Sequence, residues 1–157
     1  DGVRHKKILI LSSDKDFGQL QKYANVEQFS PNQKKYVRVS NPERFIYEHI
    51  LRGDKGDGVP NFLSDDDTFV TNKRQKPVTV KKLDKWYGKD LNEFCDEKML
   101  RGYHRNQQLV DLDYIPEDIE KKAIDQLDNY KMNDRSKLFN YFVKMRLKGL
   151  MDVIQEF

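Results

Sequence analysis

The stretch KKILILSSDKD, residues 6–16, decides how the chain is read. Ile8, Leu9, Ile10 and Leu11 form a continuous apolar run, too short for a helix and without the alternation of a half-solvated strand. Such a run fits a parallel strand covered on both faces. Ser12, Ser13 and Asp14 follow at its C-terminal end, where open parallel sheets place their ligands. Asp14 and Asp16, one residue apart, can both lean toward that crevice. Converging carboxylates are the hard oxygen donors that Mg²⁺ takes. A strand followed by Asp-x-Asp also occurs in haloacid-dehalogenase-like phosphatases and Toprim domains, and Asp is a common helix cap, so the pair alone leaves the chemistry open.

Working outward, Ser13 and Asp14 predict a capped short helix over residues 15–22. Two brief strands follow at 26–30 and 35–39, divided by the turn signal Ser30-Pro31-Asn32. Asn41 and Pro42 open the next helix as N-cap and first helical residue. That helix runs to Arg52, with Phe45, Ile46, His49 and Ile50 on one face, and His49 reads there as a packed core histidine rather than a ligand. GDKGDGVPN, residues 53–61, is a glycine-rich tight connection whose exposed N–H groups can hold a phosphate without reading a base. Residues 64–90 predict a loop with short helices at most. Helices are expected over 92–101, from Pro116 with Ile119, Ala123, Ile124, Leu127 and Tyr130 inward, and over 134–155 with Leu138, Phe142, Met145, Leu150 and Ile154 inward.

The 157 residues suit one domain or the larger part of a two-lobed one. The chain begins at Asp1 with its first apolar run almost at once, which reads as a fragment or processed product. Nothing approaches the roughly 20 apolar residues of a membrane-spanning helix, so no membrane partner is expected. A lone Cys95 cannot form an internal disulfide and fits a cytoplasmic setting. Net charge is only +3, but Lys73, Arg74, Lys76, Lys81, Lys82, Lys85 and Lys89 face a single acid, Asp84, within their stretch. Lys34, Lys35 and Arg38 form a second basic cluster. Basic surface beside clustered acid suggests a polyanion held next to a metal.

Two stretches together resemble one family. ILSSDKDFGQL, residues 10–20, is similar to a strand motif of Ser-x-Asp-x-Asp followed by Gln-Leu. LRGDKGDGVP, residues 51–60, is similar to a Leu-x-Gly-Asp-x-x-Asp-Asn-x-Pro signature in matching order and separation. These are motifs of the flap-endonuclease and 5′-to-3′ exonuclease family. Further likeness to its T-even bacteriophage ribonuclease H branch lies in residues 19–36, in LVDLDYIP at 109–116 and in residues 141–157, so that it runs nearly end to end and is thinnest between 61 and 105.

The resemblance implies an α/β, predominantly helical fold: the last strand or strands of a parallel sheet (residues 1–40), then a helix-three-turn-helix and C-terminal helices (41–157), as a PIN-like nuclease fragment. It implies catalytic Asp14, Asp16 and Asp57, with Asp54 joining them as ligands of a two-Mg²⁺ site that hydrolyses phosphodiesters. Lys34, Lys35, Arg52, Lys55, Gly56, Gly58, Lys73, Arg74 and Lys76 would contact nucleic acid. The implied substrates are RNA–DNA hybrid or duplex DNA with a 5′ end or flap, as in primer removal during replication. A single-stranded-DNA-binding protein and a sliding clamp are the implied partners, in the host cytoplasm for a phage protein.

Gly58 stands where the family has Asn, and Asn61-Phe62-Leu63 replaces its glycine-containing continuation, which implies a differently built duplex grip. The family's remaining acidic ligands have no match here, so the chain alone is expected to bind Mg²⁺ poorly and to be inactive. The rival readings are a non-catalytic module binding duplex DNA or a replication protein, and, ranked lowest, a phosphatase built on Asp14 and Asp16. Trp86, Tyr87, His5 and His104 read as packing or surface residues.

Overall fold

The computed structural model describes residues 6–130 and 135–156. Ile8–Leu11 forms β1, which pairs in parallel with β2, Val26–Ser30, setting Ile8 opposite Val26 and Leu11 opposite Phe29. β3, Lys35–Val37, then returns antiparallel to β2, so the sheet ends on a hairpin rather than a further parallel strand. Its order is β1-β2-β3, which leaves β1 at an edge among the described residues. The expected burial of β1 on both faces is not seen: Leu9 and Leu11 are 50% and 68% exposed.

Residues Lys15–Lys22 form the predicted helix, but in 3₁₀ geometry. Asp14 starts it by accepting the Asp16 N–H, a bond two residues on that favours a tight turn, and Gly18 weakens any α-helical preference. α1, Pro42–Arg52, is capped as its sequence predicts, with Asn41 Oδ1 accepting the Arg44 N–H at 2.8 Å and Pro42 at the first position. Gly53 ends α1. The chain then turns so tightly that Asp54 and Val59 form a β-bridge and the Phe62 N–H returns to the Leu51 carbonyl at 3.1 Å. A helix-three-turn-helix would place a helix directly after this turn, whereas α2 begins only at Val80 and runs to Trp86. Residues 61–79 instead form a loop tied by side-chain bonds. Asn61 accepts from the Leu63 N–H and Ser64 Oγ, and donates to the Lys76 carbonyl.

α3, Glu97–Val110, starts later and ends later than expected because Asp96, not a residue near Asn92, supplies the cap, accepting the Met99 N–H. The core lies among α1, the loop, α2 and α3, built on Leu51, Phe62 and Leu83. Trp86 belongs to it, edge-on to Phe62 and stacked on Phe94 with ring centroids 5.3 Å apart. The stretches divided at 40/41 in the sequence pack together, since α1 lies against the 3₁₀ helix of residues 15–22. The chain divides into two compact units, 1–115 and 116–157.

In the second unit, α4 spans Glu117–Asp128 as predicted, yet Ile119, Ile124, Leu127 and Tyr130 are exposed rather than inward. The single helix expected over 134–155 is broken into α5, Leu138–Lys144, and α6, Lys148–Met151, with 3₁₀ turns at either end. Arg146 at φ 55° causes the break, since a left-handed residue cannot continue a helix. Phe142 is buried, while Met145 and Leu150 are exposed. Asp134, the expected start, lies outside the described residues. Among the described residues no helix is long and apolar enough to cross a membrane.

Candidate metal centre

The first carboxylate motif is shaped by β2. Gln28, 1% exposed, donates from Nε2 to the Ser12 carbonyl at 2.9 Å and the Asp14 carbonyl at 2.6 Å. Ser13 and Ser30 join through their hydroxyls at 2.8 Å. The loop leaving β1 is thus fixed from the neighbouring strand, and Asp14 emerges exposed at its tip. Asp16 enters the 3₁₀ helix, turning its side chain back toward α1.

The second motif supplies Asp54, whose side chain is 5% exposed. Its Oδ1 accepts the Gly56 N–H at 2.9 Å, and its Oδ2 lies 2.6 Å from Lys15 Nζ and 3.3 Å from His49 Nε2. The other ring nitrogen of His49, Nδ1, lies 3.5 Å from Asp16 Oδ1. The two motifs therefore meet on one buried imidazole. Asp16 Oδ1 and His49 Nδ1 are both shielded from solvent and have no hydrogen-bond partner, an uncommon state for buried polar atoms. Ligand atoms of Asp16, His49 and Asp54 all lie within 4.8 Å of one another, close enough to share one cation.

Electrostatics divides the two aspartates. Burial pushes the Asp16 carboxyl above its ordinary range; His49 opposes this, while Asp14 and Asp54 add to it. Burial acts the same way on Asp54, but the Lys15 ammonium, the Gly56 N–H and His49 outweigh it and hold Asp54 below the usual carboxylate range. Lys15 is raised in return, chiefly by its hydrogen bond to Asp54, with Asp16 and Asp57 contributing through charge. The centre thus has excess negative charge with an ammonium already drawn into it. Two unpartnered lone-pair atoms and surplus acid fit a divalent cation.

Asp57 lies exposed in the turn beyond Asp54, and Asp14 is likewise exposed. Lys55, Gly56 and Gly58 share that exposed turn, with Gly58 at φ 77°. Lys34 and Lys35 project from the β2–β3 hairpin. Arg52 lies 3.8 Å from Glu48, and Lys73 pairs with Asp67 at 2.9 Å, while Arg74 and Lys76 are exposed. His5 lies outside the described residues, and His104 is exposed on α3. Burial pushes the Cys95 thiol up to about 11, which leaves it a packing residue. A cavity of about 740 Å³ opens elsewhere, between residues 64–67 and α3. Three of its acids are paired: Asp65 with Lys98, Asp66 with Arg101 and Arg105, and Asp67 with Lys73.

Sequence reasoning missed His49 as part of the centre, and also missed its supports. Arg105 donates to the Pro60 carbonyl at 2.8 Å, and Asn106, fully buried, donates to the carbonyls of Ile50 at 2.7 Å and Pro60 at 2.9 Å. Gln19, also buried, donates to the Val110 carbonyl and accepts from the Leu112 N–H, joining the 3₁₀ helix to the end of α3. The available signal was a polar residue on the inner face of an otherwise apolar helix, which must find a partner.

Residues 40–157 match the family model described as the C-terminal region of T4 RNase H. The chain is also similar to the ribonuclease H of Enterobacteria phage T4, with 35% identity over 158 residues covering 96% of this chain. It spans 52% of that relative's length.

Proposed function

Because this chain belongs to the family of the T4 RNase H C-terminal region, we propose that it forms part of a divalent-metal-dependent 5′ nuclease. The convergence of Asp16 and Asp54 on His49, from motifs far apart in sequence, carries this reading. Asp14, Asp16 and Asp57 are the proposed catalytic carboxylates, with Asp54 in the same cluster and Mg²⁺ as the proposed ion. Such an ion supplies an activated water and charge neutralisation at a phosphodiester. The chain's own part is to hold the carboxylates in place: Gln28 and Ser30 fix the Asp14 loop, and α3 fixes the turn carrying Asp54 and Asp57.

Lys34, Lys35, Arg52, Lys55, Lys73, Arg74 and Lys76, with the backbone of Gly56 and Gly58, are the proposed contacts to RNA–DNA hybrid or duplex DNA bearing a 5′ end or flap. Replication in a host cytoplasm, beside a single-stranded-DNA-binding protein and a sliding clamp, is the setting proposed from the resemblance. The 157 residues alone are proposed to be inactive, because the family's remaining acidic ligands have no match in this sequence and several converging oxygens are needed to hold Mg²⁺. The exposure of Lys34, Lys35 and Lys55 favours a second reading, a duplex-binding module without catalysis.

A 5′-labelled RNA–DNA hybrid incubated with the chain and Mg²⁺ tests both. Binding is expected to weaken steeply with salt, as phosphate contacts do, and the hybrid is expected to stay intact. Cleavage abolished by Asp16→Asn would overturn the proposed inactivity. Absent or salt-independent binding would overturn the nucleic-acid role.

A further inference from the structure

The geometry points to His49 as a metal ligand: its Nδ1, together with Asp16 Oδ1, takes a borderline divalent ion such as Zn²⁺ or Co²⁺ in preference to Mg²⁺. This rests on reading the cluster as the metal centre, and adds a nitrogen donor to a set the sequence presents as all oxygen.

His49 is 8% exposed, and its ring faces an aspartate at each nitrogen. Phe45 stands edge-on beside it, with centroids 5.9 Å apart, and limits how far the ring can turn. A neutral imidazole carries one N–H and can serve only one of the two acids. Asp54 is the better acceptor: it is nearer, at 3.3 Å, and it already accepts from Lys15 and the Gly56 N–H. With the hydrogen on Nε2, Nδ1 presents a lone pair to Asp16 Oδ1. Two buried acceptors then face each other across 3.5 Å with no donor between them.

That separation is long for a hydrogen bond and right for two ligands of one ion. Nitrogen and oxygen donors about 2.1 Å from a tetrahedral Zn²⁺ stand about 3.4 Å apart. Asp54 acts through the ring, anchoring Nε2–H while Nδ1 ligates, which is the usual arrangement of carboxylate, imidazole and metal. The same assignment explains why Asp54 can keep Lys15: as an anchor it needs no free oxygen for the ion. Imidazole favours Zn²⁺ and its neighbours, whereas Mg²⁺ prefers oxygen donors and water.

The test uses the full chain with His5→Gln and His104→Gln, leaving His49 as the one imidazole among three histidines in the sequence. Titration with Co²⁺ is expected to give one exchangeable ring N–H signal shifted outside the diamagnetic proton range, from Nε2–H held on Asp54. Calorimetry is expected to show Zn²⁺ and Co²⁺ binding at least about tenfold more tightly than Mg²⁺, and His49→Gln to remove that advantage while changing Mg²⁺ affinity less than about twofold. The shifted signal is read without any change at His49, so it does not depend on that variant folding. Co²⁺ binding without the signal, or Zn²⁺ affinity unchanged in His49→Gln, would overturn the ligand assignment. Either result would leave the nuclease reading to its own test, because neither measurement involves nucleic acid.

Discussion

Lys15 occupies Asp54 Oδ2 from 2.6 Å, with more than half of its side chain in solvent. Asp54 is buried, but the Lys15 end of the pair is solvated, so its ammonium can leave for water. It nevertheless adds a positive charge beside Asp16, Asp54 and Asp57, where it opposes a second cation. Lys15→Met is expected to raise Mg²⁺ affinity by roughly threefold to tenfold at low ionic strength, read by calorimetry, with the gain shrinking as salt screens the charge. Unchanged affinity would mean that the ammonium does not compete. Gly58 poses a question of conformation rather than charge. At φ 77° it occupies the left-handed region, and a Cβ there would meet nothing within 4 Å. Asn, which stands at this position in the family signature, tolerates that region, whereas a β-branched residue does not. Gly58→Asn should therefore change stability by less than about 0.5 kcal/mol, and Gly58→Val should cost about 1–2 kcal/mol, both measured by urea denaturation.

At the scale of elements, α3 holds the turn that carries Asp54 and Asp57. Gly102 lets the helix lie directly on the Phe62 backbone, where a Cβ would overlap the Phe62 carbonyl. One turn further on, Asn106 spans α1 and the turn by donating to Ile50 and Pro60. Removing that amide leaves two buried carbonyls without this donor. Asn106→Ala is expected to cost about 2–3 kcal/mol in urea denaturation. It should also weaken divalent-ion binding, because the turn carrying Asp54 and Asp57 loses its brace. A loss below about 0.5 kcal/mol would show that water or Arg105 replaces the bond. Asn61 plays the matching part on the other side, closing the loop that stands where a second helix would directly follow the turn.

Across the whole molecule, the acids Asp65, Asp66 and Asp67 are drawn onto Lys98, Arg101, Arg105 and Lys73, tying the loop to α3 and to itself. The Arg105 guanidinium, and beside it Arg101, holds the Asp66 carboxyl below its ordinary value of 3.8. A carboxyl depressed in the folded state stabilises above its unfolded value, and that stability is lost as pH falls through the folded one. The urea midpoint should therefore drop as pH is lowered from about 5 to about 3, and Asp66→Asn should flatten part of the drop. Since Asp66 is about half exposed, its share should stay below about 1 kcal/mol. An identical pH slope in the variant would remove Asp66 from the acid response. By itself the sequence determined what depends on near neighbours: the strand before Asp14, the Asn41 and Pro42 start of α1, the turn after Gly53, and the two motifs that name the family. Caps, turns and short apolar runs are settled within a few residues, so they can be read from the chain. Only the tertiary structure decided that His49 stands between Asp16 and Asp54, that Gln19 grips the end of α3, that Arg146 breaks the last helix, and that β1 and α4 leave apolar side chains exposed. Each of those depends on which distant backbone or side chain arrives alongside, and helical periodicity, which tells inner face from outer, does not say what the inner face will meet.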